Sequence, residues 1–475
     1  IDQGLELNIN QQAVTQLSQQ SLTLNGAAGI TVGDGLAASY QGKISLAGTS
    51  IVFDRLAIAG QTAEWDGELS FGQDSSAAMT AGGQGTLKMS DVSFDQGLKL
   101  SIAQQAVEIS GIGSLKQSDA LEITYDGTVD LDGSRIENDT FSLTGTRTGW
   151  SGVVNYQQHG QTPTIGVNGS LSAHEHTVAV AAADLSVGFD ELSIGTDTRL
   201  TPTLMEASSG SMDLTLDGLS IAMNESEIIT VAEIELDSLT TKPAGKPRLT
   251  SLTIADITLP PSTLQPHTIS LAEYTIEDAD IGWDMEALSA RRQQINGLEC
   301  TPENGESRLT ISAVTLAQTV LSERFTHVEI DSISGEEMSW TKTGQLPDTP
   351  PDYSLGAITV SDMAWQPESG TKIQSIHATD LFGRLAKAPS EAPPSGTTES
   401  SVKSPPTPPE TVDVGADEDT KSTPSKAIAL AIESVLVDGA SGISFIDTTL
   451  ATPFAATIEI IEARASKIDF NQPEV

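Results

Sequence analysis

Apolar and polar residues alternate along most of the chain, and this period of two constrains the fold more than any other feature. Leu5, Leu7 and Ile9 begin the pattern, and Ile44 and Leu46 continue it. Successive side chains of a strand point to opposite faces, so these segments predict strands with one apolar and one polar face. Gly-containing pairs at short intervals predict hairpin turns at Asn25-Gly26, Asp66-Gly67, Asp126-Gly127, Asp132-Gly133 and Asp217-Gly218.

The predicted fold class is mainly β, a long antiparallel β-meander. Helical spacing is found only near residues 285–295 and 314–325, which predicts few short helices. About thirty strands side by side would extend on the order of 140 Å, and open sheets of that size curl, split or stack. Two architectures remain open: one extended, curled sheet that forms a groove, or tandem β-sandwich domains.

The N-terminal third contains an internal duplication. Residues 1–14 match residues 94–107 at ten of fourteen positions, at an offset of 93. Residues 33–71 match residues 118–156 without a gap at an offset of 85, and Trp65 recurs as Trp150. The repeated residues are glycines, occasional aromatics and apolar residues of one face, which a backbone shape requires and a reaction does not.

The duplication and the composition divide the chain into five segments. Residues 1–88 and 89–172 are two β repeat units, and residues 173–385 are further β units with short helices. Residues 386–427 are rich in Pro, Ser and Thr and acidic, which predicts a disordered linker or loop. Residues 428–475 begin a further β unit that ends while it is still alternating.

The charge excludes some partners. There are 65 Asp and Glu against 24 Lys and Arg, a formal net charge of −41, which repels nucleic acids and anionic membranes. We interpret the acidity as a solvated surface. The run Asp130-Leu131-Asp132-Gly133 lacks the remaining ligands of a calcium loop.

No apolar run is long enough to span a bilayer. The start at Ile1, within a predicted strand, indicates a processed product or a piece of a longer protein, so a membrane anchor can be missing.

No pattern typical of an active site or cofactor site is found. His174 and His176 would share one face of a regular strand, but no third metal ligand is near, so a solvent-facing polar pair is favoured. Trp65 and Trp150 suit packing better than sugar stacking. Cys300 is the one cysteine, so no internal disulfide forms. We expect no enzymatic activity, no cofactor and no metal.

The segment after residue 441 carries a resemblance to a known family. An apolar-x-Phe-x-Asp strand (Ile443, Phe445, Asp447) precedes a Thr-rich turn with Pro453, and Phe454 and an alternating strand follow. This unit resembles the strand-turn-strand unit of AsmA-like proteins of the Gram-negative envelope. Residues 354–385 share its rhythm more weakly.

The resemblance implies a periplasmic lipid-transfer bridge, in which an apolar β-groove carries phospholipid acyl chains between the inner and outer membranes. It further implies an inner-membrane anchor and an outer-membrane partner, with phospholipid or another acyl lipid as cargo. The alternative function is a structural or adhesive β-repeat protein of the cell envelope. Combined with the alternation, the groove hypothesis predicts that these residues line the groove: Leu5, Leu7, Ile9, Ile44, Leu46, Leu98, Leu100, Ile102, Leu131 and Phe445.

Overall fold

One long sheet contains all the regular structure of the described chain. The computed structural model describes residues 16–18, 21–53, 56–95, 101–342, 351–387, 430–447 and 454–469. Within these ranges residues 77, 139, 160–161, 181–182, 202–208, 225, 243–244, 262–266, 283–286, 303–304, 306, 323–325 and 368 are not described. The described residues form a 24-stranded sheet.

The described strands are longer than the predicted hairpin turns would allow, because several of those turns lie inside them. The N-terminal strands are β1 Gln16–Ser18, β2 Ser21–Val32, β3 Leu36–Phe53, β4 Leu56–Gln73, β5 Met79–Asp95, β6 Ser101–Gln117, β7 Leu121–Glu137, β8 Phe141–His159, β9 Thr162–Val180 and β10 Leu185–Leu200. The central strands are β11 Ser209–Met223, β12 Ser226–Thr241, β13 Arg248–Leu259, β14 His267–Ile281, β15 Leu288–Pro302, β16 Ser307–Ser322, β17 His327–Lys342 and β18 Tyr353–Gln366. The C-terminal strands are β19 Gly370–Thr379, β20 Phe382–Lys387, β21 Leu430–Asp438, β22 Ser441–Asp447, β23 Phe454–Ile460 and β24 Ala463–Asp469.

The described strands form a meander that does not close. From β2 to β19 each strand pairs antiparallel with the next. β19 and β20 then pair in parallel with β21 and β22, and β22–β23 and β21–β24 complete the far edge. The prediction of one extended sheet that curls into a groove is confirmed, and the alternative of tandem sandwiches is wrong.

Two local predictions fail. Residues 288–295 and 314–322 of the two predicted helical segments lie in β15 and β16. The described residues contain no α-helix, so none of them forms a helix that could cross a membrane. Cross-strand pairing overrides the weak helical spacing, because both segments pair along their length with strands on either side.

The five predicted Gly turns are also wrong, because Gly26, Gly67, Gly127, Gly133 and Gly218 all lie inside strands. The repeat boundaries after residues 88 and 172 fall within β5 and β9. The linker prediction for 386–427 lies almost entirely outside the described residues, since β20 ends at Lys387 and β21 begins at Leu430.

Glycines form a continuous row across the first eight long strands, which we call the glycine row. Each member is directly opposite the next on the neighbouring strand: Gly26, Gly42, Gly67, Gly85, Gly111, Gly127, Gly152 and Gly169. A Cβ added to any of them would lie 2.1–2.4 Å from a carbonyl oxygen of the adjacent strand. Only glycine permits this close approach of the backbones.

Residues with a left-handed backbone form a second kind of row. One lies on every second strand from β3 to the end of β19, with φ between 48° and 65°: Gly48, Asp91, Gly133, Glu175, Gly218, Asp256, Gly297, Glu337 and Asp380. We call this the first left-handed row. Its members follow one another at 38 to 43 residues, the length of one hairpin. The offset of 85 in the sequence therefore corresponds to two hairpins.

A second left-handed row begins on β12, three strands beyond the end of the glycine row on β9. Ser238, Asp278, Gln318 and Asp362, on β12, β14, β16 and β18, have φ between 49° and 56°. The register of β11 with β12 shifts between Met212 and Leu214, next to its first member. Left-handed residues within strands are typical of β-bulges, which bend and twist a sheet. β3, β5, β7 and β9 therefore carry both a left-handed residue and a member of the glycine row, and each strand from β11 to β18 carries one left-handed residue. This geometry curls the sheet.

Candidate functional site

The candidate site is the apolar face of the sheet. One residue from each strand position, directly opposite its neighbours, forms a cross-strand row of twenty residues in which only Gln293 is polar. We call it the central apolar row. Its members are Leu24, Ile44, Trp65, Leu87, Ile109, Val129, Trp150, Leu171, Ile194, Leu214, Leu236, Leu252, Ile276, Gln293, Leu316, Ile333, Val360, Ile376, Val435 and Ala465.

The neighbouring residue on each strand belongs to the opposite, polar face. The adjacent row contains Glu64, Lys88, Glu108 and Asp130 on consecutive strands. Exposed cross-strand ion pairs form there, with Nζ–Oε2 distances of 2.9 Å for Lys43–Glu64 and 3.1 Å for Lys88–Glu108. On these strands the sheet thus separates an apolar from a charged surface, and further along the same row consists mainly of Ser and Thr, as at Ser172, Ser193 and Thr215.

The left-handed residues keep the apolar face continuous along each strand. Leu236 and Leu239 lie on either side of Ser238, and Ile276 and Ala279 lie on either side of Asp278, yet all four belong to one apolar cluster. In a regular strand, residues three apart would point to opposite faces. The distortion therefore restores the apolar side chains to the same face beyond it.

Curvature of the sheet buries part of this face, and the described residues contain no second layer. Within the cluster Leu249 is 3% exposed and Ala279 is fully buried. All the described strands belong to the one sheet, so nothing else among them can cover these side chains. The sheet therefore curls around its apolar face and forms an open groove.

The two repeated tryptophans pack against the glycine row. Trp65 lies beside Gly85, where an added Cβ would be 3.0 Å from its Cζ2, and Trp150 lies beside Gly169, where the corresponding distance to Cη2 is 2.8 Å. Each indole ring occupies space that the glycine diagonally across on the next strand leaves free. The prediction that both tryptophans serve packing is confirmed.

A polar group lies on the apolar face next to the first left-handed row. His176 is 6% exposed, its ring stacks on that of Phe189 with 5.4 Å between centroids, and its Nε2 is 3.1 Å from Thr148 Oγ1. Burial lowers the pKa of His176, so the imidazole is held neutral. His174 pairs instead with Arg147 and Glu191, because the left-handed Glu175 breaks the alternation. The predicted solvent-facing pair is therefore wrong for His176.

The polar member of the central apolar row is satisfied by a neighbour. The hydroxyl of Tyr274 donates a hydrogen bond of 2.6 Å to Oε1 of Gln293, and burial raises the pKa of Tyr274. Both groups are uncharged at neutral pH, so no charge interrupts the apolar face at this point. Among the described residues no three His, Cys, Asp or Glu side chains are placed to hold a metal ion.

The predicted groove-lining residues have these positions. Ile44 is in the central apolar row, and Leu46 and Leu131 lie on the same face two residues further along β3 and β7. Ile102 lies on β6 beyond the first left-handed row. Phe445 lies on β22, with 6.3 Å between its ring centroid and that of Phe454. Leu5, Leu7, Ile9, Leu98 and Leu100 lie outside the described residues.

Sequence reasoning missed the glycine row, both left-handed rows and the buried state of His176. The sequence did contain a signal for the glycine row. Glycines recur at 41 to 44 residues in two interleaved series, Gly26, Gly67, Gly111, Gly152 and Gly42, Gly85, Gly127, Gly169. Read one pair at a time, the Asn-Gly and Asp-Gly dipeptides resemble turns, and only their common period indicates a row across a sheet.

The fold and the site together define an open, acidic β-groove protein. Searches with the sequence and the structure found no matching family model, no matching curated protein and no matching solved structure.

Proposed function

We propose that the chain is a lipid-transfer bridge of the Gram-negative periplasm, whose groove carries phospholipid acyl chains between the inner and outer membranes. The observation that supports this proposal is the central apolar row, with nineteen apolar members out of twenty. At about 4.8 Å between strands, the row provides a path on the order of 90 Å along the sheet.

The energetics suit an acyl chain. Transfer of each methylene from water to an apolar surface contributes about 0.8 kcal/mol, so a chain of roughly sixteen carbons gains on the order of 10 kcal/mol without any charged contact. Because the groove is open on one side, the headgroup of a bound lipid can stay in water and its charge is not buried. The equivalence of successive hairpins also means that a chain can move along the row between similar positions.

An enzyme or a purely structural role fits these features less well. A structural β-repeat protein gains nothing from an apolar face left without a second layer, since exposed apolar surface of this extent promotes aggregation. The acidic polar face supports solubility in either case. The same face discourages adsorption to anionic membranes, which suits a body that lies between two membranes.

The test compares two neighbouring residues of β9 that lie on opposite faces. Leu171 belongs to the central apolar row, and Ser172 belongs to the polar row beside it. The chain, Leu171→Glu and Ser172→Glu are purified from a Gram-negative host, and extracted lipid is quantified by mass spectrometry. We expect phospholipid with the parent chain and Ser172→Glu, and at least a fivefold loss with Leu171→Glu, because a carboxylate on the apolar path must be desolvated.

Circular dichroism and thermal unfolding confirm that both variants are folded before lipid is compared. Transfer of a fluorescent phospholipid between vesicles gives a second measurement with the same pair. Absence of phospholipid from the folded parent chain, or equal lipid content and transfer in the two variants, would refute the proposal.

A further inference from the structure

His176 brings a titratable group onto the apolar face of the sheet. Ser134, Gly145, His176 and Phe189 are directly opposite one another on β7, β8, β9 and β10. Gly145 has no side chain, and a Cβ at this position would overlap the imidazole of His176. The imidazole is therefore held between the backbone of Gly145 and the ring of Phe189, to which it is parallel within 5°.

The groups that contact the imidazole are uncharged. On β8 the hydroxyl of Thr148 lies 3.1 Å from Nε2, and on β10 the aromatic ring of Phe189 covers one face of the imidazole. On its own strand the nearest buried apolar neighbour is Ala173, which is 5% exposed. A neutral imidazole suits these surroundings, because its one polar contact needs no charge.

The charged side chains of the same three strands do not pair with the imidazole. Arg147 on β8 and Glu191 on β10 are both opposite His174, on the polar face. Glu175 and Asp190 are exposed. His174 opposes protonation of His176, because the two charges have the same sign. Among the described residues of β8, β9 and β10, no carboxylate is therefore placed to stabilise an imidazolium at this point.

We propose that His176 makes cargo binding depend on pH: protonation of its imidazole lowers the affinity of the groove for acyl chains. The inference rests on the proposed function, because the bound acyl chains are what remove water from this part of the groove. It adds to that function a condition under which the cargo is released.

The physical reason is the solvation of the imidazolium. Neighbouring side chains cover His176, but water within the groove still stabilises a charge beneath them. Acyl chains replace that water with a medium of low dielectric constant, which disfavours the charged form. Burial by the protein alone already lowers the pKa of His176, and bound lipid should lower it further. By reciprocity, protonation of His176 then weakens lipid binding by the same factor.

The direction of the pH dependence follows from this shift. Since the pKa of His176 lies below the ordinary value of 6.5, the imidazole is neutral and the affinity complete above pH 6.5. The affinity should fall as the pH drops through the lower folded value.

The experiment measures binding of a fluorescent phosphatidylcholine to the parent chain and to His176→Gln, at about pH 7.5 and about pH 5. The headgroup of this lipid does not change charge between these values. Glutamine keeps a polar group near Thr148 but cannot be protonated. Ser172→Ala, on the polar face of the same strand, is the matched control. Circular dichroism at each pH confirms that the proteins are folded.

A second measurement does not depend on the folding of His176→Gln. NMR of the parent chain with isotope-labelled histidines gives the titration midpoint of His176 with and without phosphatidylcholine. Bound lipid should lower this midpoint, because binding and protonation are linked.

We expect the parent chain and Ser172→Ala to bind about threefold or more weakly at the lower pH, and His176→Gln to lose most of this difference. The same pH dependence in the parent chain and His176→Gln, or a His176 midpoint that lipid does not move, overturns the inference and leaves the proposed function intact. A parent chain that binds no phosphatidylcholine at either pH contradicts the proposed function, and the inference with it.

Discussion

Single glycines set how closely neighbouring strands can approach. Gly111 has a φ of 156°, and a Cβ there would lie 2.2 Å from the carbonyl oxygen of Asp126. Gly113, on the same strand, has no atom nearer than 4.0 Å to its added Cβ. The two glycines are alike in the sequence, but only Gly111 belongs to the glycine row. They therefore provide a matched pair for testing what the row contributes.

We expect Gly111→Ala to destabilise the protein by about 2–3 kcal/mol, because alanine at this φ is strained and its Cβ overlaps the adjacent strand. Gly113→Ala should change the free energy of unfolding by less than about 0.5 kcal/mol. Urea denaturation followed by circular dichroism measures both. Equal effects of the two substitutions would show that the row is not a site of close backbone approach.

His176 predicts a dependence of stability on pH. Burial lowers its pKa in the folded state below the ordinary value of 6.5, so the unfolded chain binds a proton more readily. Stability is therefore complete above pH 6.5 and falls as the pH drops from 6.5 through the lower folded value. Because the carboxylates of the chain also change charge at acidic pH, the contribution of His176 must be isolated by substitution.

The urea midpoint of the parent chain should be lower at about pH 5.5 than at about pH 7.5, and His176→Gln should reduce this difference. Ser172→Ala, on the polar face of the same strand, serves as the control, since it changes no titratable group and should leave the difference unchanged. A pH dependence that is the same in all three proteins would mean that His176 titrates in the folded state as it does in the unfolded chain.

At the scale of elements, the hairpin is the unit of construction. Asp91 and Gly133 occupy equivalent positions in the first left-handed row, and β5 and β7 meet their following strands in the same register. Deletion of residues 91–132 joins Ser90 to Gly133 and removes two strand positions. The new strand should pair with β4 on one side and β8 on the other. Its apolar side chains should stay on the apolar face of the sheet and its polar side chains on the polar face.

We therefore expect the protein lacking residues 91–132 to fold cooperatively, with a groove shortened by about 10 Å. The control lacks residues 91–131 and retains one additional residue, which shifts the register and directs apolar side chains to the polar face. Thermal unfolding should show a lower midpoint for the control. If the two deletions are equally stable, the hairpin is not the repeating unit.

At the scale of the whole molecule, charge repulsion opposes folding. The exposed ion pairs of the polar face contribute little each, whereas the excess of 41 negative charges acts over the entire surface. Raising NaCl from about 0.05 to about 0.5 M should therefore raise the midpoint of thermal unfolding by several degrees, because salt screens repulsion more than it weakens the few pairs. A falling midpoint would mean that the ion pairs dominate.

The sequence predicts some features of the structure at each of these scales and misses others. Alternation of Ile44 and Leu46 predicted the two-faced strands, because side-chain direction in a strand follows from local geometry alone. It could not predict the direction of His176, since a single left-handed residue at Glu175 reverses the alternation. The helices near residues 285–295 and 314–325 were predicted from spacing that pairing on both sides overrides.

The sequence by itself determined the strand composition, the single apolar face, the acidic opposite face and the internal repetition, since each depends on residue type and local spacing. Only the tertiary structure decided that Gly26, Gly42 and Gly67 lie in one row inside the sheet rather than at turns. Only the structure decided, too, that the leucines and isoleucines line an open groove rather than a closed core. Both depend on register between strands, and register is fixed by contacts between residues far apart in the chain.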